Sequence, residues 1–470
     1  MKIIFTPPPP HLFNVFQQSK GLIDYGSLIR IALQRCKTAR EAVRTMGNLV
    51  EAYGYYSQGE SFSIADSKEV WVMEMIGKGE YELGAVWVAR RVPDGHVTAH
   101  ANQARITTFP RDDPANCLYS ADVVSFAKAH GLYPKGGSEE AFSFSDVYAP
   151  LTFSGARGCE ARAWSFFRSV VGAAELDKYV DYVSGRNLTH RMPWSFVPAQ
   201  KVSHRDLMRL MKDHYEGTAL DFSQDVGAGP FHAPYRWRPM DFKVGSRLYT
   251  NERSTSTQQT AWVFVAQVRP NMPESFRALN WFGVDDAACT VFMPMYGAIT
   301  AVPQSLVIGG KAAIMKFSLD SSFWVFNLVA QMAYDRWDNI YPEVLAKATE
   351  LQDEFDATAR DTDAKLVELA QSGKLADAIA FATNYSVAVG DKTHSTWLAF
   401  WKYLVARHVD GLTKTYIPDE QNPKVESPGY GQAWYDRIAK ETGDKYLIPP
   451  SSLAAGAKPG VRKMPYNKIW

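Results

Sequence analysis

Along the first quarter of the chain the apolar positions change period, and the change marks a change of element. In GSLIRIALQRCKTAREAVRTMGNLVEAYGYY (26–56), Leu28, Ile31, Ala32 and Arg35 recur at helical spacing. Thr38 and Glu41 then form a TxxE capping box that begins a second helix, carried by Ala42, Met46, Leu49 and Val50. Gly54 ends it. The stretch predicts a helix pair joined by a very short turn. Next come SFSIAD (61–66), EVWVMEMI (69–76) and AVWVARRV (85–92), rich in β-branched and aromatic residues and bounded by turn formers. With HVTAH (96–100) they predict a run of antiparallel strands, because parallel crossovers need a dozen or more residues and the turns here are short.

A second helical tract follows at 120–131, 159–170 and 203–215, the last capped by Ser203 and Asp206. Residues 217–255 are rich in Gly, Pro and aromatics with little periodicity, and a loop of that length usually serves a site. Strands return at 260–269 and 289–296. Beyond 320 the pattern is helical: Val344, Ala348, Leu351, Phe355, Leu366 and Leu369 form one stripe, and TWLAFWKYLVARH (396–408) another. Strands grouped apart from helices predict an α+β layered fold. The expected organisation is an irregular leader at 1–20, a core over 21–320 and a mostly helical region over 321–470 that packs on the core. The last 55 or so residues, punctuated by Pro and Gly, are expected along the surface.

Composition narrows the function classes. The 51 basic and 50 acidic residues nearly cancel, so there is no electrostatic case for nucleic acid or anionic membrane as the main partner. No apolar run approaches the roughly 18 residues needed to cross a bilayer. The start, MKIIFTPPPPHLF, lacks the apolar core and cleavage site of a signal peptide. A cytoplasmic, reducing setting is the expectation. Cys36, Cys117, Cys159 and Cys289 lie far apart with no CxxC, which argues against structural zinc and a disulfide framework.

Each candidate for chemistry has a structural counter-reading. His96 and His100 would share a helix face, but Val97 and Thr98 favour a strand, where four residues span roughly 13 Å and one ion cannot bridge them. Asp285 and Asp286 are adjacent, so on a strand they face opposite sides and a turn role is expected. Together with the 13% aromatic content they are the sole support for a glycosidase reading, which ranks last. Cys36 and Cys289 look like core residues, the latter in an apolar strand; Cys159 has basic neighbours. Arg157, Arg162 and Arg168 lie around a helix start, and local pattern makes all three structural. Asn102 and Gln103 follow the strand-forming Val97 and Thr98. Asn102 is either a turn residue bonding its own backbone or an amide donor aimed at a carbonyl oxygen that gains charge in acyl transfer.

Six stretches taken together resemble the cysteine dipeptidases of the N-terminal-nucleophile hydrolases, the group of dipeptidase A and the secernins. They are YGSLIRIALQRCKTAREAV, YGYYSQGESFSIADSKEVWVMEM, VWVARRVPDGHVTAHANQARI, CEARAWSFFR, DHYEGTALDFSQDVGAGPF and NERSTSTQQTAWVFVAQ, in the family's order from about residue 22 to past 300. The resemblance implies an αββα sandwich of antiparallel sheets and hydrolysis of dipeptides by a cysteine-type exopeptidase, with no cofactor or metal. It gives Asn102 the position of an amide that binds substrate or the developing oxyanion, with Gln103 beside it. Arg162 takes the position of an arginine bordering the nucleophile. Homo-oligomer formation is left open.

In that family the mature chain starts with the nucleophilic cysteine. This sequence meets the family pattern only at the first helix pair, and none of its four cysteines begins the chain. The expectation is a dipeptidase-family protein without its nucleophile segment. The alternative is a catalytically inactive paralogue acting as a binding or scaffold protein.

Overall fold

The computed structural model describes residues 2–4, 18–307, 316–418 and 422–449. Two compact units divide the chain, residues 1–406 and 407–470. The first begins with β1 (Lys2–Ile4), α1 (Tyr25–Arg35), α2 (Ala39–Tyr53), β2 (Gly59–Ala65), β3 (Val70–Gly77), β4 (Ala85–Arg91), β5 (Val97–Thr98) and β6 (Cys117–Tyr119). Short helices follow: α3 (Ser125–Ala129), α4 (Phe144–Tyr148), α5 (Phe153–Gly155), α6 (Ala161–Val171), α7 (Ala173–Leu176) and α8 (Val180–Val183). Then come β7 (Ser195–Phe196), α9 (His204–Leu210), β8 (Asp241–Val244), β9 (Arg247–Thr250), β10 (Trp262–Val268), β11 (Ala278–Val284) and β12 (Met293–Tyr296). The long helices α10 (Ser322–Asp335), α11 (Trp337–Gln371) and α12 (Leu375–His408) close the series. The second unit holds the hairpin β13 (Thr413–Thr415) and β14 (Lys424–Glu426), then α13 (Gln432–Thr442). This is an α+β architecture.

Strands β1-β2-β3-β4-β6 form one antiparallel sheet in that order. Its period-two alternation sorts two faces. Trp71, Met73 and Met75 of β3, with Phe62, Ile64, Trp87 and Ala89, pack under Leu28, Ala32, Val43, Met46 and Val50 of α1 and α2. Gly47 permits the close approach of α2: a Cβ there would lie 2.5 Å from the Trp87 ring. On the opposite face Ile76, Val86 and Val88 meet Ala104, Ile106, Phe126, Phe142 and Tyr148. A second antiparallel sheet, β10-β11-β12, buries Val263, Val265, Leu279, Trp281 and Tyr296 against α10, α11 and α12. Among the described residues no helix is long and apolar enough to cross a membrane.

Several expectations need correction. HVTAH does not join the first sheet. β5 pairs instead with β7, about a hundred residues on, because two residues cannot extend a ladder whose edge β6 already occupies. β6 and β11 were not expected; β11 lies between β10 and β12, and its RALNWFGV tract lacks clean alternation. Cys289 lies in a 3₁₀ turn (Ala287–Cys289), not a strand, because Asp286 caps that turn by accepting from Ala288 N–H. Asp285 precedes it at φ 64°. The box at Thr38 is half made: Thr38 accepts from Glu41 N–H, but Glu41 reaches back to Lys37 N–H at 2.8 Å. At Ser203 and Asp206 both halves form. Within the expected irregular leader, Lys2–Ile4 pairs with β2; residues 5–17 lie outside the described ones, as do 450–470 of the tail.

Candidate functional site

After β5 the chain leaves regular pairing, apart from an isolated bridge between Ala101 and Gln103. Side chains from three directions hold it in place. Glu74, on the inner face of β3, accepts from the Arg105 and Ile106 N–H groups at 2.7 and 2.9 Å. Arg105 folds back on its own segment, donating from Nη1 to Ala99 O at 2.8 Å and from Nη2 to Pro193 O at 3.0 Å. Its Nε donates to Glu160 Oε2 at 3.0 Å, and Tyr182 OH donates to the same oxygen at 3.0 Å. Both partners of this ion pair are buried, and such a pair persists only when the remaining polar atoms are also satisfied. Burial pushes the Glu74 carboxyl up to about 7, against the pull of its two N–H donors and Arg105.

That clamp sets Asn102, which is 9% exposed. Its Oδ1 accepts from Arg162 Nη2 at 2.5 Å and from Arg253 Nη1 at 3.4 Å. Two guanidinium donors on one oxygen decide the orientation of the amide, because guanidinium cannot accept. Nδ2 is therefore an oriented donor with no partner among the described residues. Arg162 reaches this point from the start of α6, where a π turn (Ala156–Glu160) widens the helix entry and Gly158 O accepts from its Nε at 2.9 Å.

The other candidates go elsewhere. Gln103 turns away from Asn102, donating to Ala149 O at 2.5 Å, and its Oε1 is buried without a partner. With Arg105, Glu160, Tyr182 and Trp194 it lines a cleft of about 240 Å³ that Asn102 does not enter. Arg157 pairs with Glu252, and Arg168 with Asp177 at 2.6 Å. His96 bonds Ser195 Oγ at 3.1 Å and His100 bonds Ser63 Oγ at 2.7 Å, so the two imidazoles serve separate partners. Burial, with Arg105 and Arg162 nearby, pushes His100 down to about 4 and keeps it neutral.

The charge at the centre is one-sided. Neither Arg162 nor Arg253 has an ion-pair partner among the described residues. Burial, then Arg162 and Arg238, lower Arg253 to about 10. Cys159 lies in the field of both arginines, yet burial dominates and raises its thiol. Burial also raises Cys117, to about 12, and Cys289.

Glu74, Arg105, Glu160 and Arg253 escaped the reading of the sequence. Glu74 had left a signal, since a carboxylate inside VWVMEMI must find donors when the strand is buried. Arg253, in NERSTSTQQ, sits in a stretch without periodicity and left none.

Residues 8–350 match the model of peptidase family C69. A dipeptidase of Bifidobacterium longum is 24% identical over 322 residues, covering 66% of this chain and 54% of that protein. Dipeptidase A of Lactobacillus helveticus is 23% identical over 380 residues, 78% of this chain and 70% of the relative. A probable dipeptidase of Salmonella dublin is 27% identical over 271 residues, 57% and 53% respectively. The match thus spans between 53% and 70% of the length of these relatives.

Proposed function

The chain belongs to peptidase family C69, and from that premise we propose that it receives dipeptides at Asn102 and Arg162 for hydrolysis by a cysteine-type, N-terminal-nucleophile mechanism. The single observation that carries this reading is the amide whose oxygen is held by two arginines and whose N–H₂ has no partner among the described residues. Such a donor suits a peptide carbonyl oxygen that becomes negative on attack. In this mechanism a chain-terminal α-amine, with a pKa of ~7.7–8.0, takes the proton of its own thiol. The thiolate adds to the carbonyl carbon, the C–N bond breaks as the proton passes to the leaving amine, and water releases the acyl group. The αββα sandwich belongs to the same proposal, supported by α1 and α2 on one face of the first sheet and by α10 to α12 against the second.

A second reading, binding without turnover, is favoured by the cysteines. Burial raises the thiols of Cys117, Cys159 and Cys289, which disfavours the thiolate form that a nucleophile needs. Dipeptide binding and turnover by the purified chain and by Asn102→Asp test both readings. The aspartate keeps an acceptor for both arginines but loses the donor, so the variant is expected to melt no lower than wild type. Where turnover occurs it should fall roughly 10²–10³-fold, and iodoacetamide should abolish it in the wild type. Binding that weakens in Asn102→Asp, with no turnover in either protein, selects the second reading. Unaltered binding and turnover in Asn102→Asp would discard the Asn102 site.

A further inference from the structure

We propose that Arg162 and Arg253 together hold the free C-terminal carboxylate of the dipeptide, and so restrict the site to substrates whose carboxylate lies one residue beyond the scissile bond. The inference rests on the dipeptide reading above and deepens it by assigning the residues that measure substrate length. Two guanidinium groups converge on one neutral oxygen, that of Asn102, from positions 60 and 151 residues away in the sequence. Neither is neutralised by a carboxylate among the described residues, whereas neighbouring Arg157 and Arg105 each have one, Glu252 and Glu160. Arg253 Nε is buried without an acceptor. Two half-buried positive charges side by side repel each other, and burial strengthens the repulsion. An anion between them removes that cost, and the planar fork of arginine matches a carboxylate.

The distances suit a dipeptide in particular. Only the amide nitrogen and one α-carbon separate its scissile carbonyl carbon from its carboxylate carbon. The donor for the carbonyl oxygen, Asn102 Nδ2, and the two arginines on Oδ1 are separated by the width of one side-chain amide. A longer peptide carries its carboxylate at least one further residue away and cannot satisfy both groups at once.

The arginines hold nothing covalently, so the test is binding. The purified chain is offered an equimolar library of free dipeptides and the same library amidated at the C-terminus, with the bound fraction read by mass spectrometry. Wild type is expected to prefer the free acids by roughly ten- to a hundred-fold, the scale of a lost charge-assisted pair. Arg253→Met should bring that ratio towards one, and Arg253→Lys should restore part of it. The Arg253 side chain donates only to Asn102 among the described residues, so both variants should fold, which a melting curve checks. Equal capture of acids and amides by wild type overturns the carboxylate assignment while leaving a peptide site at Asn102. Capture of neither library overturns the dipeptide reading and this inference with it. A full preference retained in Arg253→Met also overturns the assignment, since the charge would then be read elsewhere.

Discussion

Single residues are where burial and charge conflict most openly, and Glu60 is the plainest case. It lies on the same face of β2 as Phe62 and Ile64, beneath α1 and α2, and its Oε2 has no partner. Burial alone pushes its carboxyl up to about 9 from 4.5. The folded chain therefore binds this proton more tightly than the unfolded chain. Its contribution to stability is full below about pH 4.5 and drains away as pH rises towards 9. Glu60→Gln has no proton to lose. At pH 7 it should be the more stable protein by up to about 3 kcal/mol, an advantage that fades at about pH 4.5. Thermal melts of both proteins across that range check the sign, and a gap that does not change with pH would show that the carboxyl is ionised in both states. Asn102 illustrates the opposite outcome at this scale. Its residue type leaves a turn role and a donor role open, and the orientation of its amide depends on which guanidinium groups reach its oxygen.

Between elements, the decisive contact is the ion pair of Arg105 and Glu160, which ties the unpaired stretch after β5 to the entry of α6. The tie brings Asn102 and Arg162 to one place, since each is three or two residues from a clamped partner. Arg105→Met leaves Glu160 buried without its cation and should cost about 3–5 kcal/mol of stability. Adding Glu160→Gln removes the stranded charge, so the double variant should be less destabilised than the sum of the two single changes. Urea unfolding of the three variants measures this, and simple additivity would mean the two side chains do not stabilise each other. The elements themselves were largely visible beforehand. The α1–α2 pair, β2 to β4 and β10 follow from period alone, because each presents an apolar stripe or an alternating face. β6, three residues long, and the pairing of β5 with β7 were not, because strands this short carry no countable period.

At the scale of the whole molecule, stability is unevenly distributed. The first sheet under α1 and α2 buries Trp71, Tyr55 and Phe62, and β10-β11-β12 under α10 to α12 buries Trp397, Tyr296 and Phe276, in two continuous cores. The hairpin of β8 and β9 is the contrast. Phe242, Val244, Leu248 and Tyr249 are all exposed there, and Trp237 just before it is 80% exposed. Hydrogen exchange should accordingly be slowest in β3 and β11 and fastest in residues 241–250, where few buried contacts oppose opening. Protection of that hairpin equal to β3 would mean that something covers it in solution.

The sequence by itself determined the alternation of helices and strands, the α+β class and the stretch in which Asn102 stands, because these depend on local periodicity and backbone preference. Its local pattern treats Arg157, Arg162 and Arg168 alike, as near neighbours in one helical tract, and the choice of Arg162 comes from the family resemblance. It gave no sign of Arg253. The partners of these arginines were decided by tertiary structure, for a physical reason: a side chain's partner is set by which segments meet after the chain closes over tens of residues to more than a hundred, and periodicity specifies the face a residue presents without specifying what will be opposite it.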